Sequence, residues 1–158
     1  MRLKVYIKNF YNTPIPKFIS KGDWIDLHTS SGISKGDYSA GSFAMIPLGV
    51  AMRLPKGFEA NVVPRSSTFK NFGCIQVNSF GVIDNSYNGN GDEWKDPVYF
   101  LKDGTVRAGD RLCQFKITLS QKATVWQKIK WLFCTGFEFV EVEELNGVDR
   151  GGFGSTGR

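Results

Sequence analysis

Asp84 and Tyr87 stand three residues apart at the end of an apolar run, within Asn78-Ser79-Phe80-Gly81-Val82-Ile83-Asp84-Asn85-Ser86-Tyr87-Asn88-Gly89. A carboxylate there can hold a water, and the ring can wall a small pocket opening from a turn-rich segment. Two further segments suit phosphate. Pro64-Arg65-Ser66-Ser67 ends an apolar run and presents a guanidinium and two hydroxyls from a turn, though four such residues also make a routine surface turn. The tail Arg150-Gly151-Gly152-Phe153-Gly154-Ser155-Thr156-Gly157-Arg158 joins backbone N–H groups, hydroxyls and arginines that can wrap a phosphate chain. Phe153 is the odd member, a large ring in a polar tail with no core to join. We expect the tail to close over a ligand; the alternative is a frayed terminus.

Other candidates are weaker alone. Gly109-Asp110-Arg111-Leu112-Cys113-Gln114 reads as a tight turn entering a strand, from which Arg111 and Gln114 reach a ligand or Asp110 and Arg111 pair with each other. Asp23 and Asp26 are hard oxygen donors suited to magnesium, or simply a solvated turn. His28 is the only histidine, which fits packing or surface better than a metal site or triad. Gly152 to Gly157 matches G-x-G-x-x-G literally, but that fingerprint needs a strand before it and a helix after it, so a dinucleotide site is rejected.

These residues need a scaffold of strands. With 158 residues, 41% hydrophobic and 22% charged, the chain suits one globular domain with a real core. Residues 2–8 alternate with period two; 43–46, 60–63 and 98–101 are short apolar runs, and 114–119 alternates cleanly. In 137–143 the apolar parity switches after Phe139, which predicts a β-bulge. Gly and Pro recur between these runs, so the fold class is all-β. One segment differs: Trp126, Ile129 and Phe133 fall at helical spacing within 124–133, predicting one or two turns laid on the sheet through that stripe. From residue 149 the composition has too little apolar surface to fold alone.

Three cysteines without C-x-x-C spacing argue against a disulfide framework or zinc site and for a reduced, cytoplasmic setting. The start has no unbroken apolar stretch of signal-peptide type, and no run suffices to span a bilayer, so no membrane role is expected. A net charge of +5 without a Lys/Arg block suits a polyanionic small ligand, and direct nucleic-acid contact is not expected.

In order, these segments resemble the five motifs of the trimeric deoxyuridine triphosphate nucleotidohydrolases (dUTPases). Trp24-Ile25-Asp26-Leu27 looks like the end of the first, Pro64 to Ser67 the second, Asn78 to Gly89 the third, Gly109 to Gln114 the fourth and Gly152 to Gly157 the fifth. The resemblance implies a jelly-roll-like β domain over 1–148, a homotrimer, and an arm, 149–158, that closes over a neighbouring subunit's site. It implies that Asp84 activates water for attack on the α-phosphorus of dUTP, releasing dUMP and pyrophosphate, with Mg²⁺ on the triphosphate and Asp26 holding it through water. Arg65, Ser66, Ser67, Arg111, Gln114, Arg150, Gly154, Ser155 and Thr156 would serve the substrate, chiefly its phosphates. Tyr87 would exclude a 2′-hydroxyl, Asn78 and the Gly81, Val82 and Ile83 backbone would read uracil, and Phe153 would stack over it.

The chain departs from the family pattern in three places. Arg150 lies two residues closer to its Gly-Phe-Gly than is usual, Asn90 to Asp96 stand where a strand usually begins, and 124–133 looks inserted. Trp94 is loop packing or a second ring near the base. The insertion is a local cover, a trimer contact or a docking surface for a protein partner, which would make the chain a regulator. The same fold also serves dCTP deaminases, but Thr68-Phe69-Lys70 replaces the residues that follow their second motif.

Overall fold

Period-two alternation builds most of this chain. A computed structural model describes residues 1–33 and 36–154. In order the elements are β1 (Arg2–Asn9), β2 (Ile25–Asp26), β3 (Asp37–Tyr38), β4 (Phe43–Pro47), β5 (Val50–Arg53), β6 (Phe58–Pro64), α1 (Thr68–Phe72), β7 (Cys74–Gln76), β8 (Gly81–Ile83), β9 (Lys95–Phe100), β10 (Gly104–Thr105), β11 (Cys113–Leu119), α2 (Val125–Leu132) and β12 (Gly136–Glu141). The all-β expectation holds, with two short helices. No helix among the described residues is long and apolar enough to cross a membrane.

The sheet ordered β2-β11-β6-β8 positions the chemistry. On β11, Cys113, Phe115 and Ile117 point into the core while Gln114, Lys116 and Thr118 lie partly exposed. Antiparallel pairing sets Cys113 opposite Pro64 and Leu119 opposite Phe58, and Gln114 opposite Asp26 on the other edge. β8 adds to the free edge of β6, with Gly81 opposite Val62. Asp26, Arg65 and Asp84 therefore all stand at or just beyond strand ends, where side chains are free of the ladder. Phe115 meets Trp94 edge-on at 5.4 Å and Phe139 at 6.2 Å. Its full burial stabilises the fold by about 2–3 kcal/mol.

Two expectations fail. β12 pairs in parallel with β1 without a break from Arg2↔Gly136 to Ile7↔Glu141, so there is no bulge. Phe139 faces the core and Val140 the opposite, half-covered side, which removes the need for one. The helix at 124–133 forms, but not through its predicted stripe. Trp126 and Phe133 are 75% and 69% exposed, whereas Trp131 packs on Phe58 and Phe137 at 5.6 and 6.2 Å. The Thr124 hydroxyl accepts from the Gln127 amide and the Gln127 side chain accepts from the Thr124 amide, a capping box that starts α2.

Candidate active site

The segment after β7 turns back on itself to reach β8. Ser79 takes φ of 55°, and the Phe80 amide donates to the Asn78 carbonyl. Gln76 supports the turn by donating from Nε2 to the Val62 carbonyl at 3.1 Å and to Asn78 Oδ1 at 2.9 Å. Beyond β8 the Asp84 carboxylate accepts from the Ser86 amide at 2.8 Å and from its hydroxyl, and its other oxygen meets Arg150 Nη1 at 2.8 Å. Partial burial pushes this carboxyl up, but the Ser86 donors and Arg150 outweigh it and hold Asp84 below its ordinary value. Asp84 is thus firmly ionised. Tyr87 donates its hydroxyl to the Glu93 carbonyl at 3.0 Å, which fixes the ring.

Together these residues enclose a cavity of about 280 Å³. Asn78, Gly81, Val82, Ile83, Asp84 and Tyr87 line it, joined by Arg150, Phe153 and Gly154 from the tail. All are residues the sequence nominates. Its inner wall adds Trp94, which the sequence offered as loop packing or a second ring, and Gln76 and Asp96, which sequence reasoning did not place there. Trp94 is 1% exposed, so packing is correct, and its ring also borders the cavity. Among the described residues, Gln76 Oε1, Trp94 Nε1 and both Asp96 oxygens lack ordinary hydrogen-bond partners. Burial pushes Asp96 up to about 6, with the Cys113 thiol opposing only weakly. The alternation Trp94-x-Asp96-x-Val98-x-Phe100 was the available signal, since it turns Asp96 inward with three apolar residues.

A second cluster gathers the other motifs. Asp26 Oδ1 lies 2.8 Å from Arg65 Nε and Oδ2 lies 3.0 Å from Arg111 Nη1. Arg65 is anchored through its amide to the Leu112 carbonyl at 3.1 Å, and Ser66 and Ser67 occupy the turn before α1. The proposed Asp110–Arg111 pair is not made: Asp110 accepts from the Arg107 amide at 2.7 Å, and Arg111 turns to Asp26 because β2 and β11 are adjacent. Asp23 pairs with Lys116 at 2.5 Å. His28 stands beside this cluster, its pKa lowered by burial and then by the Arg111 charge, so the ring is neutral at pH 7. None of Asp26, Arg65, Ser66, Ser67, Arg111 and Gln114 lines the cavity. The nominated residues thus fall into two separate groups on one chain, a partly apolar cavity bordered by Asp84 and a cluster carrying two guanidinium groups.

No group of three His, Cys, Asp or Glu side chains suited to a metal occurs among the described residues. Asp26 is one carboxylate held between two guanidinium groups, a donor set that fits contact through water to an ion carried by a polyphosphate. The tail, through Gly154, lies along its own chain's cavity, with Gly152 against the Tyr87 ring. Ser155 and Thr156 lie outside the described residues.

No family model matches the chain. It is 46% identical over 158 residues to the SPbeta prophage-derived deoxyuridine 5′-triphosphate nucleotidohydrolase of Bacillus subtilis, covering 99% of both. It is 34% identical to the deoxyuridine 5′-triphosphate nucleotidohydrolase of Finegoldia magna, over 98% of this chain and 99% of the relative. Among solved structures, a dUTPase from Streptococcus mutans superposes with a TM-score of 0.64 at 21% identity, over 75% of this chain and 98% of that one. A mutant dUTPase from phage phi11 of S. aureus, described as coordinating a structural Mg(II) ion, superposes with a TM-score of 0.64 at 13% identity, over 77% and 94%.

Proposed function

This chain belongs to the dUTPase family, and we propose that it hydrolyses dUTP to dUMP and pyrophosphate with the two groups of residues described above. The observation that carries this reading is Asp84, an ionised carboxylate at the edge of a cavity walled by Tyr87 and the Asn78 turn. The nucleoside enters that cavity. Asn78 and the backbone of Gly81, Val82 and Ile83 meet the uracil edge, Tyr87 packs on the deoxyribose and leaves no room for a 2′-hydroxyl, and Phe153 covers the base. Asp84 aims a water at the α-phosphorus. A carboxylate held this acidic is a weak base, so its contribution is chiefly alignment and charge placement, as suits phosphoryl chemistry.

The triphosphate reaches the Arg65, Ser66, Ser67, Arg111 and Gln114 cluster, with Ser155 and Thr156 assigned to it by family resemblance. Because that cluster does not line the cavity of its own chain, we assign it to a neighbouring copy in a homotrimer. Magnesium would neutralise phosphate charge when bound, and Asp26 would be the residue that holds it, through water. On binding, phosphate oxygens replace part of what Arg65 and Arg111 now receive from Asp26. Deamination of dCTP is disfavoured by Phe69 and Lys70, which leave the second motif without that chemistry's residues.

The test is pyrophosphate release from dUTP, UTP, dTTP and dCTP with and without magnesium. Cleavage of dUTP alone, dependent on a divalent ion, is expected. An intact dUTP pool, equal cleavage of UTP, or ammonia from dCTP overturns the reading.

A further inference from the structure

One wall of the cavity is set by two side-chain amides in series. Gln76 closes β7, is 5% exposed and sits opposite Val98 on β9. Which way an amide points is decided by its partners, and here the first partner leaves no choice. The Val62 carbonyl only accepts, so the group 3.1 Å from it must be Gln76 Nε2. The second Nε2 proton goes to Asn78 at 2.9 Å, which must answer with Oδ1. Among the described residues Gln76 Oε1 has no partner, so these two donations alone fix its amide. Asn78 Nδ2 is thereby turned the other way. It stands beside Gly81, where an added Cβ would lie 3.4 Å from it, and Gln76, Asn78 and Gly81 all line the cavity.

An amide held in one sense distinguishes pyrimidines. Uracil carries an acceptor at position 4, whereas cytosine carries an amino donor there. An Asn78 amide free to turn over would serve both bases, offering Nδ2 to one and Oδ1 to the other. Held by Gln76 it offers only Nδ2, which satisfies the uracil oxygen and leaves the cytosine amino group facing a second donor. A polar group stranded in this way is what makes a hydrogen-bonding site reject the wrong base. We infer that Gln76 is a specificity-determining positioning residue, which locks the Asn78 amide as a donor and so selects uracil over cytosine. This rests on the reading that Asn78 meets the base, and adds what fixes the sense of that contact. The relay reaches the base from β6 through Val62, so selection is tied to the sheet rather than to the loop alone.

The test compares the parent with Gln76→Met, which fills similar space without a donor. On dUTP the variant's KM rises about 10-fold, the scale of a lost hydrogen bond, while kcat stays within about 2-fold. In competition assays dUMP weakens about 10-fold as an inhibitor and dCMP does not weaken, so the preference between them shrinks. A residue that only braced the turn would weaken both nucleotides alike, and that result, or an unchanged preference, overturns the inference. Adding Gln76→Met to Asn78→Ala costs nothing further in dUMP affinity, because the relay has lost its endpoint; additive losses also overturn it. Should the Met variant not fold, side-chain amide resonances of the parent decide. Gln76 Nε2 protons exchange slowly with solvent, and Asn78 Nδ2 protons shift with dUMP but not with dCMP. Fast exchange at Gln76, or equal shifts with both nucleotides, overturns the inference. A parent that neither cleaves dUTP nor prefers dUMP to dCMP sinks the underlying reading of the site instead.

Discussion

Asp84 and Asp96 border one cavity, and their surroundings drive their acidities in opposite directions. Donors from Ser86 and Arg150 keep Asp84 ionised, so kcat/KM should hold as pH falls through the ordinary carboxylate range and drop only below it. Asp84→Asn should keep nucleotide affinity and lose turnover by at least ~100-fold, the scale of one aligned catalytic group. Equal losses of affinity and rate would make it structural. Asp96 carries the reverse sign. Its pKa of about 6 lies above that of the unfolded chain, so the folded state binds more protons between roughly pH 4 and 6. Stability therefore declines as pH rises through that window and stays lower above it, by about 3 kcal/mol. Asp96→Asn should match the parent near pH 4 and gain most of that amount by pH 7–8, read from denaturant midpoints at each pH. A parent and variant with parallel pH profiles would refute the assignment. The chemistry of Asp84 was legible because its neighbours in sequence are its neighbours in space. That of Asp96 was not, because its burial comes from β4, β7 and β11, strands remote in the chain.

At the scale of elements, the strand pattern could be read directly from alternation, as β11 shows: every second residue enters the core and Asp26, opposite Gln114, is delivered to Arg65 and Arg111. What alternation leaves open is how an edge is used. The parity switch in β12 needs no bulge because β1 pairs along its whole length and both faces are partly covered. Helical spacing likewise marks the Trp126–Ile129–Phe133 stripe on α2, but it is Trp131 that takes the space over Phe58 and Phe137. Thr124 and Gln127 were a readable start signal for that helix. Thr124→Ala should cost about 1 kcal/mol of local stability. The loss should appear as faster amide exchange across 125–132 with turnover unchanged; a fall in turnover would tie α2 to the active site.

For the whole molecule, the decisive feature is division: the cavity and the Asp26–Arg65–Arg111 cluster lie on one chain yet do not meet. Motif order in sequence announces both halves but not their separation, which arises because β8 and the ends of β2, β6 and β11 lead to different places. Asp26→Asn should preserve assembly and raise the magnesium concentration needed for half-maximal turnover, measured by titrating the metal at fixed dUTP. An unshifted titration would remove Asp26 from metal binding. The position of Trp94 gives the molecule one more property. Its indole is sealed edge-on against Phe115 and Trp94 lines the cavity, whereas Trp126 stands in solvent. With Trp126→Phe to remove the most exposed indole, occupancy of the cavity should become readable as a change in intrinsic fluorescence, in real time and without a label.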